Sequence, residues 1–224
     1  MKRLILTFAV LGFIATDHAE AQVVMQRGGD MLTFSKRDDS PEVTAGSQYI
    51  NDRFLLARVN EGTELFRIRF NPYLGIMEYE KDGEIYHLNK DKNEIVEFVG
   101  TNATTYKLFQ YSNRDVNHTD YMKVVFEGEK VSFQTLEKVI LRPGKTAVNS
   151  YESSSQPEYK RENDTRFITI DGKTQEFSTR TNRFVKMFDK SIEKDLRSYI
   201  KDNRIDLDND ADLIKLGRHL DSIL

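Results

Sequence analysis

The chain has no cysteine in 224 residues. That absence excludes a disulfide framework, and it excludes catalysis by a thiol. It also excludes a bacterial lipoprotein, which needs a cysteine directly after the leader to carry its lipid. The folded part must therefore hold together by packing alone, and a chain of about 200 residues buries enough apolar surface to do so. An excess of one charge is absent as well: 33 basic residues face 36 acidic ones, for a net charge of −3. Both signs are interspersed, with no basic stripe carrying interleaved aromatics, so nothing in the charge pattern points to nucleic acid. Tryptophan is missing. After residue 21 no apolar run is long enough to span a bilayer, which takes about 20 residues.

Catalytic signatures are absent too. There is no Gly-x-Ser-x-Gly elbow, no His-Glu-x-x-His, and no glycine-rich loop opening a helix. Three histidines follow residue 21, His87, His118 and His219, and no two share a metal-binding spacing. His87 falls in a predicted strand, His118 in a polar loop and His219 near the C-terminus. The stretch Asp206-Leu207-Asp208-Asn209-Asp210-Ala211-Asp212 resembles a calcium loop only superficially. An EF-hand wants glycine at its sixth position and glutamate at its twelfth, and here those are Ala211 and Gly217. The stretch reads instead as a cap for a following helix. No cofactor, metal ligand or catalytic residue is assigned. Paired carboxylates for glycoside chemistry stay open, because their separation in space cannot be read from sequence.

What is present begins with an export signal. Lys2 and Arg3 give a positive start, Leu4 to Ala15 an apolar stretch, and Ala19-Glu20-Ala21 a small-x-small triad. Residues 1–21 are thus expected to be a leader cleaved between Ala21 and Gln22. Residues 22–45 read as a weakly ordered lead-in with one short strand at Met31–Phe34.

From Gly46 the texture is that of strands. In Leu65-Phe66-Arg67-Ile68-Arg69-Phe70, apolar and basic residues alternate with the period of a half-buried strand. Asp82-Gly83 separates two alternating runs, and Asp171-Gly172 separates two more; each is a strong hairpin signal. Further strands are predicted at Ile95–Val99, Thr105–Phe109, Tyr121–Phe126 and Val131–Leu141. Residues 144–165, serine-rich and charged, read as a surface loop. Phe184, Phe188, Ile192, Leu196 and Ile200 recur every four residues and predict an amphipathic helix. Leu213, Leu216, Leu220 and Ile223 predict a second. The expected fold is β-rich α+β: an antiparallel sheet, or a partly open barrel or sandwich, of about eight to ten strands. The antiparallel β domain spans 46–181 and the helical pair 182–224. Six tyrosines, Tyr73, Tyr79, Tyr86, Tyr106, Tyr111 and Tyr121, have two readings: ordinary cross-strand packing, which is favoured, or a groove for a lipid, glycan or peptide.

Three segments carry a resemblance. Gly46-Ser47-Gln48-Tyr49-Ile50-Asn51-Asp52-Arg53-Phe54, then Arg69-Phe70-Asn71-Pro72-Tyr73, then the acidic Glu78, resemble a pattern in uncharacterised exported proteins of Bacteroidota-type Gram-negative bacteria. The C-terminal stretches Lys194 to Asn203 and Leu207 to Leu224 are similar to the paired helices that close those proteins. The likeness is weakest across 144–165, and the chain departs from it at Leu74-Gly75, where polar residues are usual. The resemblance implies an exported periplasmic or surface protein and brings no site residue with it. The reading favoured by these features is a non-enzymatic binding or structural module of the cell envelope, whose partner is an envelope protein, glycan or lipid. Two alternatives stand beside it: a periplasmic carrier of a lipid or other apolar ligand, and an envelope hydrolase.

Overall fold

The computed structural model describes residues 22–27, 30–36, 45–90, 94–101, 103–146 and 154–224. The expected leader and its cut after Ala21 lie outside them. Strand formation follows the alternation seen in the sequence. In β4 (Phe66–Asn71) the side chains of Phe66, Ile68 and Phe70 are buried, while Arg67 and Arg69 point to the opposite face. It pairs antiparallel with β3 (Leu55–Val59) and β5 (Ile76–Lys81), and β5 pairs with β6 (Glu84–Leu88) across Asp82-Gly83. Both turn residues have positive φ, 54° and 80°, as a two-residue hairpin of this type requires. Asp171-Gly172 does the same, at 49° and 75°, between β13 (Thr165–Ile170) and β14 (Lys173–Glu176).

One sheet of twelve strands results, in the order β1-β2-β6-β5-β4-β3-β7-β8-β14-β13-β10-β9, with β8 also paired to β9. Here β7 is Ile95–Phe98, β8 is Thr104–Asn113, β9 is Val116–Glu127 and β10 is Val131–Leu136. The extra pairing joins β8, β9, β10, β13 and β14 into a partly closed five-stranded barrel. Its seam is one parallel residue pair, Thr174 with Tyr111. The expectation of a β-rich fold with a partly open barrel is met, with more strands than the eight to ten foreseen.

Five local expectations change. Val131–Leu141, expected as one strand, is split into β10 and β11 (Val139–Arg142), which lie in different sheets. Residues 22–36, expected to hold one short strand, form two, β1 (Gln22–Arg27) and β2 (Asp30–Lys36), which extend the sheet beyond β6. His118, placed in a polar loop, lies within β9. The polar run 110–120 is a long hairpin that turns at Arg114-Asp115, both with positive φ but without the glycine that usually marks such a turn. Part of the expected loop 144–165 is strand: β12 (Glu158–Arg161) pairs with β11 (Val139–Arg142). Lastly, the single long helix is interrupted. A short α1 (Thr181–Phe184) and a tight turn at Val185–Met187 precede α2 (Lys190–Asp202), because Phe188 is extended and Asp189 starts the helix afresh.

Two buried clusters organise the interior. Ala57, Phe66, Ile68, Met77, Val96 and Tyr121 belong to the first, on the sheet. In the second, Phe133, Ile168, Phe177 and Phe184 meet Leu196 of α2 and Leu213, Leu216 and Leu220 of α3 (Asp210–Ile223). Asn209 caps α3 by accepting from the amides of Ala211 and Asp212. None of the helices among the described residues is long and apolar enough to cross a membrane.

Candidate functional site

Residues 48–54, Arg69, Asn71 and Glu78 meet in space. Glu78, fully buried on β5, accepts from Arg69 Nε at 2.7 Å, Asn71 Nδ2 at 2.7 Å and the Tyr49 hydroxyl at 3.0 Å. Arg69 and Asn71 sit two residues apart on β4, and Arg69 is paired across the ladder with Glu78. The Arg69 guanidinium is held between two rings, 3.8 Å from the Tyr49 centroid and 4.2 Å from that of Phe54. It also donates to the Asp52 carbonyl at 3.0 Å, and Asn71 donates to Gln48 Oε1 at 3.1 Å. The segment 48–54 is therefore fastened onto the sheet by a charged cluster. At its start, Gly46 has φ +74° and passes so close to β12 that an added Cβ would lie 2.1 Å from the Tyr159 carbonyl oxygen. The chemistry of this cluster is structural: its carboxylate is enclosed and its partners are already engaged.

Concave space lies next to it. A cleft of about 370 Å³ runs between the β4–β5 turn and the rim of the barrel. One wall is Phe70, Pro72, Tyr73 and Leu74; Tyr111, His118 and Asp120 from β8 and β9 form another. Glu137, Glu162 and Glu176 add carboxylates to the lining from three further segments. Asp120 accepts from Lys90 at 3.1 Å and from the Tyr111 hydroxyl at 3.0 Å. Glu137, largely buried, accepts from the Tyr106 hydroxyl at 2.5 Å and from Arg161 at 3.2 Å. Burial, followed by the Asp120 charge and its hydrogen bond, raises the Tyr111 phenol well above its ordinary pKa, so it stays a donor. Burial and Glu137 do the same to Tyr106. The Tyr111 ring is locked, stacked on His118 at 5.1 Å between centroids and edge-on to Phe167 at 4.7 Å.

The six tyrosines thus divide. Tyr73 and Tyr111 line the cleft, and Tyr121, fully buried in the first core, backs it. Tyr79 and Tyr106 pack in the first core, with Tyr86 against it. Of the histidines among the described residues, only His118 reaches the cleft. His219 stacks on Tyr199 at 3.7 Å between α3 and α2, and burial lowers its pKa. The acidic stretch 206–212 serves structure: Asp208 and Asp210 bind the buried Arg166, Asp210 also takes Lys123, and Asp212 takes Lys215. No group of three or more metal-binding side chains occurs among the described residues. A separate apolar notch, lined by Ile50, Leu55, Phe70 and Phe98, holds about 110 Å³.

No family model matches the chain, and neither curated proteins nor solved structures give a match. The cleft was not assembled from the sequence because its acids come from four separate segments. Tyr73, Tyr111 and Tyr121 were the visible part of it, as strand tyrosines with two possible uses.

Proposed function

We propose that this chain is an exported, non-enzymatic binding module of the cell envelope, and that its ligand occupies the cleft between the β4–β5 turn and the barrel rim. The observation that carries this is the cleft itself: about 370 Å³, walled by locked aromatic rings and fixed polar groups. That volume lies within the range of small-molecule sites. Export is supported by the charged, apolar and small-residue regions at the N-terminus and by the likeness of 46–54, 69–73 and 78 to exported proteins. The carrier of an apolar ligand is the weaker reading. The apolar notch of about 110 Å³ is too small for a lipid chain, and the buried faces of the barrel strands are filled by Met122, Phe133, Gln134 and Phe167.

One observation favours the hydrolase reading: four carboxylates, Asp120, Glu137, Glu162 and Glu176, line one cleft. Against it, a general acid is a carboxyl kept away from cations. Asp120 lies beside Lys90 and Glu137 beside Arg161, while Glu162 and Glu176 are exposed. The test has two parts. Mass spectrometry of protein from the native host should find a chain beginning at Gln22; a retained leader defeats the export reading. A fragment screen followed by NMR should perturb Tyr73, Tyr111 and His118 together. Fragments that gather elsewhere would move the site.

A further inference from the structure

We infer that the ligand of the cleft is a neutral, polyhydroxylated ring, a sugar unit of a glycan, with Asp120 and Glu137 accepting its hydroxyls and Tyr73 and Tyr111 meeting its C–H faces. This rests on the reading of the cleft as a binding site and goes further by fixing the ligand's chemistry.

Elimination by charge and polarity leads there. Two of the four carboxylates in the lining are paired with Lys90 and Arg161, and the other two outnumber Lys138, so the cleft keeps a small negative excess that disfavours an anion. An apolar ligand would strip water from those carboxylates and from Asn113 and Asn163 without replacing its hydrogen bonds. A cation is poorly served, because the two inner carboxylates already have theirs: Lys90 at 3.1 Å from Asp120 and Arg161 at 3.2 Å from Glu137. The two acids without a side-chain partner in the described structure, Glu162 and Glu176, are exposed, where an ion pair is worth little.

What remains matches a sugar. A carboxylate has about four lone-pair sites. In Asp120 one oxygen takes Lys90 and the other Tyr111. In Glu137 one takes Arg161 and the other Tyr106. Each oxygen so keeps capacity for a hydroxyl donor while the cations fix its position. Asn113, Asn163 and His118 add groups able to donate or accept. Tyr111 is held by His118 and Phe167, and Tyr73 edge-on by Tyr159 at 4.9 Å, so neither ring loses much freedom on binding.

The experiment uses the chain from Gln22 to Leu224 and follows amide and aromatic resonances during titration with chitotriose, cellotriose and maltotriose. Spermidine and citrate serve as cationic and anionic probes. At least one triose should shift Tyr73, Tyr111 and His118. Tyr111→Ala and Asp120→Asn should each weaken it about tenfold, the loss of one hydrogen bond to a charged group or of one stacking ring. To separate binding from folding, the exposed pair Asn163→Ala and Glu176→Gln is measured as well, with circular dichroism on all four; the Asn163→Ala variant should weaken the triose by at least threefold. Binding of spermidine or citrate at these residues, with no triose bound, overturns the sugar inference and leaves the cleft as a site. No shift from any of the five probes overturns both. Triose binding that is unchanged in all four variants places the sugar elsewhere and overturns the inference.

Discussion

Removing the Glu78 carboxylate should loosen the whole 48–54 segment. Glu78 is fully buried, and its Arg69 partner has only 12% of its side chain exposed. Three donors point at it: Arg69 Nε, Asn71 Nδ2 and the Tyr49 hydroxyl. Glu78→Ala leaves a largely buried guanidinium without its counter-charge, and breaking a buried pair in this way costs about 3–5 kcal/mol. With a urea m-value of about 2–3 kcal/mol/M, the unfolding midpoint should fall by about 1–2.5 M. Hydrogen exchange at residues 48–54 should accelerate more than in β8 or β9, because that segment is tied down through Tyr49, Gln48 and the Asp52 carbonyl. The apolar double variant Arg69→Met/Glu78→Leu removes both charges at once and should lose less than Glu78→Ala alone, since the cost lies in the orphaned charge. A loss under about 1 kcal/mol for Glu78→Ala, or unchanged exchange at 48–54, would refute the reasoning.

Two more tests address the helical side. Gly217 of α3 lies against Phe126, and an added Cβ would stand 2.2 Å from the ring. Gly217→Ala should therefore destabilise by about 1–3 kcal/mol despite alanine's better helix propensity, a sign that urea unfolding reads directly. Acid should weaken the same side. Burial raises Asp210, but hydrogen bonds and charge from Lys123 and Arg166 outweigh it and hold the carboxyl below its ordinary 3.8. Asp221 is lowered by the Lys130 amide first, with those of Glu129 and Val131 adding to it. A carboxyl with a depressed folded pKa contributes its full stability above the unfolded value and loses it as pH falls through the folded one. Stability should thus hold from pH 7 to about 5 and fall below 3.8, and Asp210→Asn should flatten that fall. An equally steep acid limb in the variant would count against these pairs.

The legible parts of the fold were those with a local cause. Phe66, Ile68 and Phe70 announce β4 by alternation, and Asp82-Gly83 and Asp171-Gly172 announce their hairpins by what positive φ demands. The β8–β9 hairpin was hidden because Arg114-Asp115 makes its turn without glycine and Gln110 to Asp120 are mostly polar. Besides their own ladder, long-range contacts fix them: Tyr111 on Phe167 and Asp120 with Lys90. The break at Phe188-Asp189 was hidden for the opposite reason. The four-residue apolar spacing continues across it, because Phe184 and Phe188 still pack ring to ring at 5.3 Å. Glu78 was conspicuous as part of a pattern, but its burial depends on residues 48–54, and no local rule brings them over it. The cleft was the least visible feature, since proximity of Asp120, Glu137, Glu162 and Glu176 is a product of barrel closure.

That closure gives the barrel a clasp. β8 and β9 are neighbours through a tight turn, as are β13 and β14, so each hairpin can zip from its own end. The Thr174–Tyr111 pair joins partners far apart in the chain and contributes little by itself, so it belongs among the last contacts to form. Tyr111 is at once the clasp and a wall of the cleft. A chain that has made its sheet and helices but not that join has no complete cleft, and occupancy of the cleft by any ligand would pull the clasp shut.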